Sequence, residues 1–126
     1  MSKVGVRYIV DHVGDAVAFY TERLGFVVEF DATPGFAALE RGDLRLLLNA
    51  VGGSGGASQA MADGEAPVPG GWNRIQLVVD DLEGAVARLR AQGTRFRSEV
   101  IVGRGGSQIL LEDPAGNLVE LFEPAG

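Results

Sequence analysis

The carboxylate of Glu120 is the side chain in this sequence with the clearest potential for chemistry. It lies in the last apolar segment, where Leu118 and Phe122 share its parity and Val119 and Leu121 alternate with them. This alternation predicts a half-buried strand, so Glu120 places a carboxylate among apolar neighbours on one face of a sheet. A buried carboxylate needs a metal ion, a cation or a ligand group as its partner. The identity of that partner decides what the protein can do.

Few other residues are suited to catalysis or metal binding. The sequence has no cysteine, which excludes a disulfide framework, a thiolate metal site and a thiol nucleophile. The single histidine, His12, follows the first predicted strand and is better interpreted as a solvated turn residue than as a metal ligand, so a Ser-His-Asp triad is not expected. The glycine-rich run at 52–56 lacks the Lys-Ser/Thr ending of a phosphate loop.

Composition and charge exclude further classes of protein. With 46% hydrophobic and 22% charged residues, the 126-residue chain has an ordinary globular balance and suits one domain. A net charge of −6 argues against a nucleic-acid partner. No apolar run approaches membrane-spanning length, and residues 1–5 lack the apolar core of a signal peptide. We therefore expect a soluble, cytoplasmic protein with neither a nucleic-acid nor a membrane partner.

The chain predicts the same β-α-β-β-β order twice, which makes the fold class α+β. In module 1 (residues 1–50) we expect strands at 4–10, 26–30, 36–41 and 44–49 and a helix at 16–24, capped by Asp15. In module 2 (residues 72–126) we expect strands at 72–79, within 95–102, at 107–112 and at 118–123, and a helix at 82–91.

An internal repeat supports this division into two modules in pseudo-twofold tandem. Residues 10–18 align without a gap with residues 79–87, sharing Val-Asp at the start and Ala-Val-Ala at the end. Residues 51–71, rich in glycine and proline, separate the modules. A loop of this length in a small domain is a linker or a functional lid, and the composition favours a structureless linker.

Two stretches of the chain resemble signatures of the vicinal oxygen chelate superfamily. Val10-Asp11 through Leu24-Gly25-Phe26 is similar to its "V-D … FY … LGF" pattern, and residues 113–120 are similar to its "DP-x-GN-x-x-E" ending. The superfamily includes glyoxalase I, fosfomycin-resistance transferases, extradiol dioxygenases and bleomycin-resistance proteins. The resemblance implies paired β-α-β-β-β modules whose sheets curve into a cup, often completed as a homodimer. It indicates the fold more strongly than the function, because the fold hosts several chemistries.

The resemblance also implies where a metal would bind, with two ligands from the first and last strands of each module. The internal repeat places these positions at Gly5, Leu46, Arg74 and Glu120. Of the four, Glu120 alone has a side chain that binds a hard or borderline metal, whereas catalytic sites use about three protein ligands. We therefore expect no metal cofactor, unless an atypical ligand set forms.

Strand parity predicts which residues would line the cup in place of a metal site. Arg74 and Gln76 alternate with apolar residues that should pack under the helix, so they should face the cup. We hypothesise that Arg74 pairs with Glu120, since a guanidinium satisfies a buried carboxylate; the alternative is that this pair closes the pocket. The other ligand-binding candidates are Arg7, Phe36, Leu46, Trp72, Gln108 and Phe122.

Two classes of function stay open. The first is a metal-free binding protein that sequesters a small organic molecule, as bleomycin-resistance-like relatives do in antibiotic resistance. The second is an enzyme of the same superfamily, a glyoxalase-like lyase or isomerase or a dioxygenase, with an atypical metal set or with Glu120 as general base. A general base must be free to accept a proton, and a neighbouring guanidinium stabilises the anion instead. The sequence therefore favours binding.

Overall fold

The computed structural model describes residues 3–53 and 55–126, so Met1, Ser2 and Ser54 lie outside the described part of the chain. It is an α+β fold with two helices and two sheets, as predicted. The elements in chain order are β1 (Val4–Val10), α1 (Val13–Arg23), β2 (Val27–Ala32), β3 (Phe36–Arg41), β4 (Leu44–Ala50), a 3-10 turn (Gly56–Ser58), β5 (Arg74–Val78), α2 (Leu82–Ala91), β6 (Arg95–Phe96), β7 (Ile101–Val102), β8 (Gly106–Glu112) and β9 (Leu118–Pro124).

The chain divides into two compact units, one ending at Gly70 and one beginning at Gly71. Most of the predicted linker therefore belongs to the first unit, and its regular structure consists of the 3-10 turn among the residues that the structure describes. The 3-10 turn is fixed to β4, because the buried Ser58 hydroxyl donates to the Ala50 carbonyl at 2.6 Å. The glycine-rich run 52–56, which we expected to be part of this linker, includes Ser54, which lies outside the described residues.

The sheet of the first unit has the strand order β1-β4-β3-β2, with β1 and β4 parallel and the other pairs antiparallel. One face carries an apolar row that packs under α1, whose buried residues include Phe19 and Tyr20. Period-two alternation sends every second residue of a strand to this face, which removes its apolar surface from water. The fully or nearly fully buried strand residues of the row are Tyr8, Val10, Ala37, Leu39, Leu46 and Leu48.

The sheet of the second unit has the order β5-β9-β8-β6, with β7 also paired to β8. Its first two strands are again parallel. The row that packs under α2 consists of Ile75, Leu77, Ile109, Leu111, Val119 and Leu121, all buried. The strand predicted within 95–102 is split into the two-residue strands β6 and β7. Between them Arg97 and Ser98 leave the regular ladder, with the Arg97 N–H donating to the Leu110 carbonyl at 2.8 Å.

The two helices begin in different ways. Helix α2 has the predicted bounds, and the Asp81 carboxylate caps it by accepting the Gly84 N–H at 3.0 Å. Helix α1 begins at Val13, three residues before the prediction, because its N-cap is His12 and not Asp15. His12 is exposed, as expected, and makes no capping bond with its side chain. Asp15 lies instead in the first turn, where a carboxylate interacts favourably with the helix dipole.

The residues of the "DP-x-GN" stretch build the turn that leads into β9. The fully buried Asp113 carboxylate accepts the backbone N–H groups of Ala115 at 2.9 Å and Asn117 at 2.8 Å, and the Asn117 side-chain amide at 3.2 Å. Gly116 takes the positive φ of 86° that closes the turn, a conformation that a glycine adopts without strain. The motif is therefore structural, and it fixes where β9 begins and which face Glu120 occupies.

Candidate functional site

The face of the second sheet that is turned away from α2 carries the predicted polar residues. On β5 and β9, Gln76 is paired in register with Glu120, and Arg74 with Leu118. On β8, Leu110 lies opposite Glu120. Arg74, Gln76 and Glu120 therefore share one face across neighbouring strands, as strand parity predicted.

Glu120 is only 7% exposed, and both of its carboxylate oxygens are engaged. Arg74 contacts Oε1 with both Nε and Nη2, each at 3.1 Å, so the hypothesised ion pair is confirmed. The Gln76 side-chain amide donates to the other oxygen, Oε2, at 2.7 Å. Sequence parity placed Gln76 on this face but did not identify it as the second donor to Glu120.

This network determines the chemistry that Glu120 can perform. With Arg74 and Gln76 as donors, the buried carboxylate has a hydrogen-bond partner on each oxygen without a metal ion, and Oε2, which accepts only the Gln76 amide, keeps a second acceptor position. Arg74 is held in turn, since its Nη1 donates to the Trp72 carbonyl at 3.4 Å. The arrangement therefore presents a fixed guanidinium and a fixed amide on an open sheet face.

Trp72 lies next to this network and just outside β5, although the sequence predicted that the strand begins at Trp72. The residue is 63% exposed, and the Arg97 guanidinium lies 4.8 Å from the ring centroid. This stacking was missed by sequence reasoning, because Arg97 lies in the irregular segment between β6 and β7, where strand parity gives no direction.

Phe122 and Gln108 are paired in register on β9 and β8, and both are partly buried. The Phe122 ring lies over the backbone of Gly106, where an added Cβ would come within 2.9 Å of the ring and 2.2 Å of the Glu123 carbonyl oxygen. A glycine is therefore required at position 106, and its backbone holds the Phe122 ring in place.

The candidates from the first unit divide between the two faces of its sheet. Arg7 shares a face with Phe36, and its Nη1 donates to the side-chain oxygen of the buried Asn49. Phe36 is partly buried and lies 6.2 Å from Phe30, measured between ring centroids. Leu46 does not belong to this face, because β1 and β4 pair Val6 with Leu46 and Arg7 with Leu47.

The predicted position of Leu46 is therefore wrong by one residue, and that error moves a side chain to the opposite face. Leu46 is fully buried under α1, whereas Leu47 is the counterpart of Glu120. The reason lies in the spacing across the two hairpins. Glu40 pairs with Arg45, whereas the equivalent Glu112 pairs with Leu118, so the second hairpin has one more residue between the paired positions.

A second ion pair lies on the same face of the first sheet as Arg7. Arg45 forms an ion pair with Glu29, in which Nη2 donates to Oε2 at 3.0 Å and Nε lies 2.8 Å from Oε1. Hydrogen bonding to Arg45 is the main reason that the pKa of Glu29 is lowered from its ordinary value. The pair therefore stabilises the fold at neutral pH, and this contribution is lost as the pH falls through the lowered pKa of Glu29.

Replacing Arg45 by Gln should raise the pKa of Glu29 towards its ordinary value, because the main group that favours the carboxylate is removed. A carbon-detected NMR titration of the side-chain carboxyl groups measures this directly. Arg7→Gln is the matched control, since Arg7 lies on the same face but binds Asn49, and it should leave the titration of Glu29 unchanged. An unchanged pKa of Glu29 in Arg45→Gln would contradict the assignment.

The residue types at the positions implied for a metal do not fit a divalent ion. Gly5 and Arg74 cannot serve as ligands, and neither the predicted Leu46 nor its neighbour Leu47 can do so. Within residues 3–53 and 55–126, no group of three or more His, Cys, Asp or Glu side chains is placed to hold a metal ion. In the same residues, no helix combines the length and the apolar character needed to cross a membrane.

Comparisons with known proteins agree with this architecture. A model of the Glyoxalase/Bleomycin resistance protein/Dioxygenase superfamily matches residues 4–121. A member of that superfamily from Sphaerobacter thermophilus is 25% identical, with a TM-score of 0.77 and coverage of 98% of this chain and 97% of the other. No curated protein matches the chain.

Two further solved structures share the fold at lower identity. A lactoylglutathione lyase from Agrobacterium tumefaciens is 22% identical, with a TM-score of 0.74 and coverage of 97% of this chain and 92% of the other. TnmS3, an antibiotic binding protein from a Streptomyces species, is 20% identical, with a TM-score of 0.72 and coverage of 99% and 97%. The same fold thus occurs in a protein described as a lyase and in one described as a binding protein.

Proposed function

Since the chain belongs to the Glyoxalase/Bleomycin resistance protein/Dioxygenase superfamily, we propose that it is a metal-free protein that binds and sequesters a small organic molecule. The observation that carries the proposal is the hydrogen-bond network around Glu120. Arg74 donates to one oxygen of Glu120 and Gln76 to the other. This is the carboxylate that the family signature would offer to a metal. The proposal therefore rests on residue chemistry rather than on the fold, which serves both catalysis and binding among its structural neighbours.

The surroundings of the network support binding. Trp72 and Phe122 of the same unit provide aromatic surface, and the polar groups available for orienting a ligand are few and fixed, as in most small-molecule sites. Arg74 is held by Glu120 and by the Trp72 carbonyl, so little side-chain entropy remains to be lost on binding. The ligand-binding residues that the proposal assigns to this unit are Trp72, Arg74, Gln76, Gln108, Glu120 and Phe122, and Arg7 and Phe36 stay candidates on the sheet of the first unit.

Metal content and ligand binding together test the proposal. Protein purified without chelators should carry far less than one equivalent of Zn, Ni, Fe or Mn, and it should show no lactoylglutathione lyase activity when these metals are added. Trp72 is the single tryptophan of the chain, so saturable quenching of its fluorescence by planar aromatic antibiotics reports binding near the network. One bound metal ion per chain, or turnover that Glu120→Gln abolishes, would overturn the proposal in favour of the enzyme alternative.

A matched pair of variants locates the ligand. Arg74→Met should weaken the quenching titration, because it removes the guanidinium next to Trp72. Arg88→Met removes the same charge from an exposed position on α2 and should leave the quenching titration unchanged.

We further propose a single domain, a homodimeric assembly, a cytoplasmic location and a role in antibiotic resistance. Light scattering of the purified protein tests the dimer, and growth of an expressing strain on the bound antibiotic tests the resistance.

A further inference from the structure

A groove in the second unit lies beside the proposed ligand site and meets it at the contact between Arg97 and Trp72. It has a volume of about 570 Å³ and lies between the C-terminal turn of α2 and the segment that follows β6. Its lining contains two arginines and two hydroxyl side chains, with one aromatic ring and one carboxylate. These residues are Arg90, Thr94, Phe96, Arg97, Ser98 and Glu99.

Both arginines of the groove lie over aromatic rings. The Arg90 guanidinium lies 4.9 Å from the centroid of Phe96, and the Arg97 guanidinium lies 4.8 Å from the centroid of Trp72. A cation–π contact attracts the guanidinium to the ring face and does not use its N–H donors as hydrogen-bond donors to an acceptor atom. The two contacts therefore restrain two cations and leave N–H donors available for an anion.

The other polar groups of the groove suit the same ligand. The Ser98 oxygen already accepts the Leu110 N–H at 3.0 Å, so its hydroxyl hydrogen is available to a second partner. Arg97 has no acidic partner within 4.0 Å among the residues that the structure describes. Arg90 has one, Glu99, at 3.7 Å, but the Glu99 side chain is 91% exposed, and such a pair contributes little.

From this arrangement we infer that the groove is a binding site for a phosphate group, carried by a small molecule or present as the free ion. A phosphate presents several oxygens in different directions with a charge of about −1.5 to −2 at neutral pH, which matches two fixed cations and a hydroxyl donor better than a single carboxylate does. Glu99 competes with this ligand, because it offers Arg90 an anion that a bound phosphate must displace.

Titration of the full chain with pyrophosphate tests this inference. Calorimetry and Trp72 fluorescence should both show saturable binding, because the anion contacts the guanidinium that stacks on the Trp72 ring. Inorganic phosphate should bind more weakly, and sodium chloride at the same ionic strength should not reproduce the effect. Equal affinity for succinate would mean that the groove binds carboxylates as well as phosphates. A response of the same size to sodium chloride would mean that the signal comes from general ionic screening. Either result would overturn the inference.

Four variants give a pattern that general electrostatics does not produce. Arg90→Gln and Arg97→Gln should each weaken pyrophosphate binding about tenfold, the effect of losing one charge-assisted contact. Glu99→Gln should strengthen binding about threefold, because an exposed competing ion pair is removed. Arg88→Gln, on the same helix but outside the groove, should change it less than about twofold. Equal losses in Arg88→Gln and Arg90→Gln, with circular dichroism confirming folding, would contradict the assignment.

Discussion

Replacement of Asp113 by Ala should lower the free energy of unfolding by about 3 kcal/mol, because the change leaves buried hydrogen-bond donors without an acceptor. The Asp113 carboxylate is fully buried and accepts three donors, the backbone N–H groups of Ala115 and Asn117 and the side-chain amide of Asn117. Each unsatisfied buried donor costs roughly 1 to 3 kcal/mol, and partial hydration of the turn reduces the sum. Urea denaturation followed by circular dichroism measures the loss.

The equivalent hairpin of the first unit supplies the control for this prediction. Asp43 lies in the turn between β3 and β4, but it is exposed, so Asp43→Ala should change the free energy of unfolding by less than about 0.5 kcal/mol. Asp113→Asn keeps one side-chain acceptor and should fall between the two. A loss below about 1 kcal/mol in Asp113→Ala would mean that the carboxylate does not organise the turn.

The sequence predicted the elements that have a strong local signal. The bounds of β3 and α2 agree with the prediction, since a glycine turn and an Asp81 cap mark their ends. Helix α1 began earlier than predicted because His12, its N-cap, makes no capping bond with its side chain, so nothing in the residue type marks the position. Asp15, the residue with the right chemistry for a cap, lies one turn further on.

The candidate site was predictable as far as period-two alternation extends. It placed Arg74, Gln76 and Glu120 on one face, because these residues lie within regular strands paired in register. The alternation gave the wrong face for Leu46, because the spacing between paired residues differs by one residue between the two hairpins. It gave no direction for Arg97, because the strand is broken there. At that break the Leu110 N–H donates to the Ser98 hydroxyl oxygen and not to a backbone carbonyl of the neighbouring strand. Strand alternation does not predict such a bond.

Removal of either member of the Arg74–Glu120 pair should destabilise the protein, and removal of both should be tolerated. Arg74→Met leaves a carboxylate whose side chain is 9% exposed with Gln76 as its remaining donor, for an expected loss of about 3 kcal/mol. Glu120→Leu leaves a guanidinium whose side chain is 30% exposed and can turn towards water, for a smaller loss of about 1.5 kcal/mol. Leucine is the matched choice because Leu47 occupies the corresponding position in the first sheet.

The double variant Arg74→Met/Glu120→Leu should lose only about 1 kcal/mol, because no charge is then left without its partner. The Gln76 amide loses its acceptor in this variant, but Gln76 is exposed and can donate to water. Urea denaturation of the two single variants and the double variant completes the cycle, and the sum of the single losses should exceed the double loss by roughly 3.5 kcal/mol. Additive losses would mean that the pair contributes nothing beyond its separate side chains. A fixed guanidinium on this face depends on that coupling, and additivity would therefore also weaken the case for Arg74 as a preorganised ligand-binding residue.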